Sequence, residues 1–397
     1  MPIKRVHSDW LEAYKVLGID KEPPLIYNEW VGISTIASVL QRRCWHTWEK
    51  KIYPNFYIVL VGPSGVRKGG ALEPARRLLY DLSVNMCADS ITREQMIARL
   101  TEVSDQDTDA ETGELLVHSS LTIFSPELNV FLNDGDRKLF TDLTDLFDCR
   151  DEWSYETKNK GTYKITGAWL NLLGAITPEL LRGVLTDVTI GGGLSSRIIF
   201  VCASRKANID AFPFERSADD LALYQTLRDD LSAIRLCKGE FTIDESFKAL
   251  YGDWYRETEL NPPRMDIRME PYLSRRSTHL RKTAMVMSAA RSNEMVMRDC
   301  DFLKALAALE RAEEYMHIAY SRVGNNELLL VIQRLLELLD YKKIVTIKEI
   351  ANSTYMDATK EQLTQVIETV ISMGKATYNV QNGEPVLIKK GEQNEQQ

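Results

Sequence analysis

Apolar residues recur along this chain with two different spacings. Four predominantly apolar runs fall within its first 202 residues: Tyr57–Val61, Leu121–Phe124, Ala168–Ile176 and Ile198–Cys202. Short continuous runs bounded by turn residues predict strands buried on both faces, as in a parallel sheet. Between and before them the spacing is helical. The predicted helices are Ser8–Leu17 with a serine cap, Tyr27–Arg42 with Trp30, Ile33 and Ile36 on one face, and 71–81 after the first run. Others are 92–103 with Ser90 as cap, 139–147, and 178–185 opened by a proline. A strand is expected to begin within 43–50, and the acidic stretch 104–114 reads as an exposed loop or hairpin tip. Two short runs around Asn159-Lys160-Gly161 predict a hairpin.

From Ser217 the pattern turns helical, over 217–234, 244–259, 271–290 and 299–323. After Asn325 come a leucine-rich helix, two more helices (346–352 and 359–373), and alternating runs on either side of Asn382-Gly383. Three helices and a hairpin predict a winged helix, able to meet DNA or protein. The expected organisation is an N-terminal helical region (1–55), an α/β core (56–215), a helical lid (216–324), the winged-helix module (325–390) and a disordered tail (391–397).

The first run carries the chemistry. Tyr57–Val61 leads into Gly62-Pro63-Ser64-Gly65-Val66-Arg67-Lys68-Gly69-Gly70 and then a helix. A buried strand, a glycine-rich turn, a lysine and a helix start make a P-loop, whose backbone N–H groups and lysine suit a polyphosphate such as that of ATP. The motif asks for a glycine where Arg67 stands and for a hydroxyl, the usual Mg²⁺ anchor, where Gly69 stands. The plain alternative is a strand–turn–helix junction whose glycines serve only the backbone.

The second run ends at Ser125-Pro126-Glu127, where Glu127 can polarise an attacking water or simply open a helix. No aspartate precedes it, so the second usual Mg²⁺ anchor is missing as well, and Asp148 and Asp151, nearby in sequence, are candidate substitutes. Thr177, at the end of the third run, can sense the terminal phosphate, with Asn171 as second choice. Lys158 and Lys160 on the hairpin tip, beside Tyr155 and Tyr163, suit nucleic acid or a solvated turn. Arg197, before the fourth run, can stabilise transferring charge from a neighbouring subunit or pair within its own fold. Arg275 and Arg276 approach the nucleotide from the lid side or form a solvated basic face.

Composition narrows the partners. A net charge of -8 argues against a broadly basic surface, so contact with nucleic acid must be local. The six cysteines are widely spaced without a C-x-x-C pair, which favours reduced thiols in a cytoplasm over disulfides or zinc. No signal peptide and no membrane span are expected.

In order, these segments resemble the P-loop ATPase domain of unknown function found in phage and prophage primase-helicase proteins. The resemblance covers roughly 27–323. It rests on the loop at 60–69, on Phe124-Ser-Pro-Glu127, on 170–178, and on Gly191-Gly-Gly-Leu-Ser-Ser-Arg-Ile-Ile-Phe-Val201. That domain is similar to ring helicases of the AAA+ and minichromosome-maintenance type. The resemblance implies a P-loop NTPase (RecA/AAA+-like) core in a homo-oligomeric, hexameric ring, using ATP and Mg²⁺ to move single-stranded DNA through a central channel during replication. Lys68 becomes the P-loop lysine, Glu127 the catalytic glutamate, Thr177 or Asn171 the first sensor, and Arg197 the arginine finger. Arg275 or Arg276 becomes the second sensor, and Lys158 and Lys160 grip the strand. No primase domain is expected in these residues. The missing Mg²⁺ anchors leave open a protein that binds nucleotide with weak or no hydrolysis, as a loader, adaptor or DNA-bound scaffold. A regulator led by the winged helix is the third alternative.

Overall fold

A computed structural model gives the fold. It describes residues 4–87, 91–108, 113, 115–132, 136–157, 161–184, 193–211, 217–263, 265–320, 328–354, 358–381 and 383–390. The chain forms a mixed α/β fold in two compact units, Met1–Val323 and Gly324–Gln397. Ser90 and the tail 391–397 lie outside the described residues.

In chain order the first unit begins with α1 (Trp10–Leu17), α2 (Leu25–Leu40), β1 (Cys44–Thr47), β2 (Lys51–Ile52), β3 (Tyr57–Val61) and α3 (Lys68–Asp81). It continues with α4 (Arg93–Glu102), β4 (Asp105–Thr108), β5 (Leu115–Ser125), α5 (Leu128–Leu132) and α6 (Arg137–Phe147). Then come β6 (Glu152–Thr157), β7 (Gly161–Thr166), β8 (Ala168–Ile176), α7 (Pro178–Val184) and β9 (Ile198–Cys202). The longer helices Ala218–Ile234, Glu245–Leu260, Arg276–Arg291 and Asp299–Tyr320 complete it.

The central sheet has the order β4-β5-β8-β3-β9. β5, β8, β3 and β9 run parallel, and β4 is antiparallel at the edge. The four apolar runs are these parallel strands, as continuous hydrophobicity requires of strands covered on both faces. Alternation along β8 identifies the two covers. Asn171 points to α2, where its amide donates to Ser34 Oγ (2.9 Å) and Ser38 Oγ (3.0 Å). A Cβ on Gly174, on the other face, would meet Leu128 of α5 at 2.8 Å. Tyr57, paired with Leu172 on that second face, donates to the Leu143 carbonyl of α6. The sheet is therefore the middle of three layers.

α2 is the buried pillar of the first layer, with every residue from Tyr27 to Leu40 buried. Its Thr35 and Ser38 hydroxyls donate to the carbonyls one turn back, which lets polar side chains enter a helix enclosed on all sides. The helices after Ser217 share one continuous hydrophobic core with α1, α2 and the sheet. They wrap the core, and the boundaries expected near 55 and 215 do not mark compact units.

Local differences have local causes. Asp9, not Ser8, caps α1, accepting from the N–H groups of Leu11 and Glu12. Thr92 caps α4 by accepting from Gln95 N–H. Asp105–Thr108 forms a strand despite its polarity, because it pairs with the start of β5 as an exposed edge. The helix expected over 271–290 is broken between Leu273 and Arg276. In the second unit, helices Leu328–Lys342, Ile347–Thr354 and Lys360–Ser372 pack on an antiparallel sheet of Ile344–Thr346, Glu384–Lys389 and Ala376–Gln381. Among the described residues no helix is long and apolar enough to cross a membrane, and the cysteines are free.

Asn171 also accepts the N–H of Phe56 at 2.8 Å, so its amide joins α2, β3 and β8. Asn171→Ala leaves that buried N–H without its acceptor. It is expected to lower stability by about 2 kcal/mol in urea unfolding.

Candidate functional site

The carboxyl ends of β3, β8 and β5 form one row. Val61 pairs with Ile176, and Gly174 pairs with Ser125, so Glu127 falls level with Ile176 and Val61. Open parallel sheets bind ligands in the crevice beyond such ends. With β8 between them, Glu127 and the loop strand are two strand spacings apart, about 10 Å.

Gly62 leaves β3 through a narrow gap. Its N–H donates to the Ile176 carbonyl, and a Cβ there would lie 2.5 Å from both the Ala203 carbonyl and the Tyr27 hydroxyl. That hydroxyl donates to the Val61 carbonyl at 2.8 Å and pins the strand end to α2. Only glycine fits. The loop then turns through Gly65 at φ 87° and Arg67 at φ 64°. Arg67 thus adopts the left-handed backbone that the motif's second glycine would take at lower cost. Its guanidinium is tied to the buried carboxylate of Glu22, which Lys206 also holds at 2.5 Å. Lys206 first, with Arg67, keeps the Glu22 carboxyl below its ordinary pKa. Glu22 and Lys206 support the loop from outside the motif, which is why motif spacing did not reveal them.

No side chain caps α3. Its first N–H groups therefore carry the partial positive charge that suits an anion. The Lys68 ammonium is half-buried across the loop and donates to the carbonyls of Gly62 (2.5 Å) and Pro63 (3.0 Å). Burial lowers its pKa, while the charges of Glu127 and Glu179 act to raise it. Glu179 stands on the first turn of α7. It is the carboxylate the sequence reading missed, and its place just after Thr177-Pro178 at a strand end was the available signal. Glu127 is exposed; its backbone carbonyl accepts from Val130 N–H, and its carboxylate makes no hydrogen bond among the described residues. Thr177 accepts weakly from Leu180 N–H at 3.5 Å, as a cap of α7, within the same row. Asn171 is not in this row. It lies in mid-strand with its amide committed to packing, which corrects its candidacy as a sensor.

Beside the loop a cavity of about 280 Å³ runs along one face of α3. Gly70 and Arg67 border its mouth, and Leu17, Pro23, Pro74 and Tyr224 supply much of its apolar wall.

The metal side is poor in ligands. Among the described residues no group of three His, Cys, Asp or Glu side chains is placed to hold a metal. Asp148 and Asp151 are not substitutes at the loop. Asp151 pairs with Arg42 at 2.7 Å, and Asp148 lies at the opposite end of the sheet. A Cβ on Gly69 would meet nothing within 4 Å, so sterics do not exclude a serine there.

That opposite edge holds the arginines. Ile198 pairs with Tyr57, which puts Arg197 at the amino end of β9, a strand length of about 17 Å from the loop. Arg197 is buried, donating to Asp148 (3.0 Å) and to the Gly193 carbonyl (2.8 Å). Arg275 reaches the same carboxylate at 3.4 Å. Burial acts to raise the Asp148 pKa, but the two guanidinium charges prevail and hold it below its ordinary value. Arg276 is no sensor candidate, because it makes a buried two-point ion pair with Glu313 (2.7 and 2.8 Å). His279, fully buried, donates from Nε2 to the Ser196 carbonyl at 3.0 Å and so positions the turn that presents Arg197. Burial pushes its pKa down to about 3.

The hairpin β6–β7 rises from this same edge. Lys158, Lys160 and residues 191–192 of the glycine run lie outside the described residues. The arms are described, and their aromatics are not free platforms. Tyr155 stacks between Trp153 and Tyr163, and accepts from Arg93 at 2.8 Å. No known protein family matches this chain, and no curated protein sequence does.

Gly69→Ser is expected to fold with an equal or higher Tm, since it fills open space and removes a glycine from a helix. It restores the missing hydroxyl, and Mg²⁺ should then tighten ATP binding more than in wild type, measured by calorimetry with and without the metal. A second prediction concerns pH. The folded state keeps His279 neutral down to about pH 3, whereas the unfolded chain protonates it near 6.5. Stability therefore falls as pH drops below 6.5. From pH 7 to 5 the loss attributable to His279 is about 2 kcal/mol, and His279→Gln should remove that slope in urea titrations.

Proposed function

We propose that this chain is an ATP-driven, helicase-like ring motor of phage or prophage DNA replication, with a RecA/AAA+-like P-loop core and a C-terminal winged helix. The observation that carries the reading is the division of labour between the two ends of the sheet. Lys68, Glu127 and Glu179 gather at the carboxyl end, and Arg197 and Arg275 stand together at the amino end. Arg197 is too far from its own loop to touch a phosphate there. As an arginine finger it serves a neighbouring subunit, which is what a ring supplies.

In this reading the uncapped start of α3 and Lys68 hold the β- and γ-phosphates, and the apolar cavity along α3 takes the base. Glu127 accepts a proton from the attacking water, and Glu179 tunes Lys68. Thr177 borders the γ-phosphate. Mg²⁺ commonly keeps several waters and takes only one or two carboxylates besides the phosphates, which suits a site offering Glu127 and Glu179 and no hydroxyl after Lys68. When bound, the metal supplies charge neutralisation to the phosphates. Single-stranded DNA meets the Lys158–Lys160 tips in the channel, and the protein acts in the bacterial cytoplasm. The helix Lys360–Ser372 exposes Glu361 and Glu368, so the winged helix contacts a protein partner in preference to DNA phosphates.

The second reading is a nucleotide-binding loader, adaptor or scaffold that hydrolyses ATP weakly or not at all. It is favoured by Gly69 and Pro126 in place of both metal anchors, and by Arg197 being closed onto Asp148.

ATPase assays with and without single-stranded DNA, paired with mass measurement, separate the two. The motor predicts an oligomer with DNA-stimulated hydrolysis. A monomer without stimulation, or tight ATP binding without phosphate release and indifferent to Arg197→Ala, sinks it. Lys68→Ala should abolish binding. Glu127→Gln should keep binding and slow hydrolysis by about 10²–10⁴.

A further inference from the structure

The amino end of the sheet also holds a cavity, which shares Asp148 and Arg275 with the arginine cluster and to which the nucleotide reading gives no ligand. It measures about 190 Å³ and is enclosed by residues 48–53, the end of α6 and the start of the helix Arg276–Arg291. A drug-sized pocket begins near about 300 Å³, so this one suits a small ion with a few waters.

Its walls are basic in a chain whose net charge is -8. Lys50, Lys51, Arg275, Arg281 and Lys282 line it, although the Lys51 ammonium lies over the Trp45 ring; the acidic residues of the lining are Glu49 and Asp148, and Asp148 is already shared by Arg197 and Arg275. The two innermost cations are nearly enclosed, Arg281 at 7% exposure and Lys282 at 3%. Neither pairs with a carboxylate among the described residues. Arg281 donates from Nε to the Ser277 carbonyl and lies over the Trp48 ring at 4.6 Å, and its buried Nη1 has no hydrogen-bond partner. Lys282 donates to the Asn55 side chain (2.6 Å) and backbone carbonyl (3.1 Å), and lies 3.8 Å over the Phe147 ring. Buried charge without a counter-ion is costly. A cavity of this size beside two such charges supplies the place for one.

We infer that this cavity is a second phosphate-binding site, in which Arg281, Lys282, Arg275 and Lys50 hold one phosphate group. Guanidinium and ammonium donors converging from several sides match the three free oxygens of such a group. The group comes either from a free inorganic anion or from the backbone of a nucleic-acid strand. Lys282 supplies an independent signature. Burial first, then the charges of Arg275 and Arg197, lowers its pKa to about 7, against the opposing effect of Cys149 and Asp148. A bound anion raises it again, so binding above pH 7 takes up a proton.

The site stands a strand length from the loop and does not rest on the nucleotide reading, so it is tested in the full chain carrying Lys68→Ala. Pyrophosphate, inorganic phosphate and oligothymidylate are titrated by calorimetry at pH 8 in buffers of different ionisation heat. At least one probe should bind as in wild type, within about twofold, with proton uptake. Arg281→Gln should weaken it by about tenfold or more. Lys50→Gln, at the exposed rim, should weaken it by about threefold and serves if the buried variant does not fold. Binding by the inorganic probes alone identifies a free anion. Oligothymidylate binding that phosphate displaces and Arg281→Gln removes identifies a strand. Loss of all binding with Lys68→Ala, affinity unchanged in both Arg281→Gln and Lys50→Gln, or no binding by any probe overturns the site.

Discussion

Everything at both candidate sites depends on β3 being held in register between two parallel neighbours. Val61 is paired on one side with Ile176 and on the other with Cys202, and Tyr57 with Leu172 and Ile198. A slip of one residue would turn each side chain to the opposite face and break the alternation that buries α2 on one side and α5 and α6 on the other. With register fixed, the strand ends are fixed as well. Gly62 then has to pass between Tyr27 and Ala203, and Lys68 arrives beside the carboxylates that follow β5 and β8.

A parallel sheet has two chemically different ends, and this chain uses both. The carboxyl end presents an uncapped helix start, an amine and two carboxylates. The amino end is a cluster of guanidinium and ammonium groups organised around Asp148. The rigid strands between them prevent one chain from closing its own arginine onto its own loop. In the proposed motor, function at the loop therefore calls for a second chain, and the closed Arg197–Asp148 pair is the contact an approaching neighbour has to compete with.

The four parallel strands and most helices were legible because a strand covered on both faces must be apolar throughout and an amphipathic helix must repeat near 3.6. The loop was legible because Gly62 and Lys68 have few substitutes in their positions. Edge pairing was not, since Asp105–Thr108 has no apolar signal and forms a strand only through its partner. Charge partners were not legible either. Glu22 reaches Arg67, and Asp148 reaches Arg197, across distances in sequence that no local pattern records. The same limit explains Asn171, whose polar side chain in an apolar run suggested a sensor and in fact ties α2 to β3 and β8.

The central claim is that the two sheet ends of different subunits make one working site. Mixing two separately inactive variants, Lys68→Ala and Arg197→Ala, and assaying ATP hydrolysis tests it most directly. The account predicts that the mixture recovers hydrolysis absent from either variant alone, because an intact loop then meets an intact arginine. A mixture as inactive as its components, or an Arg197→Ala variant that hydrolyses ATP like wild type by itself, contradicts it.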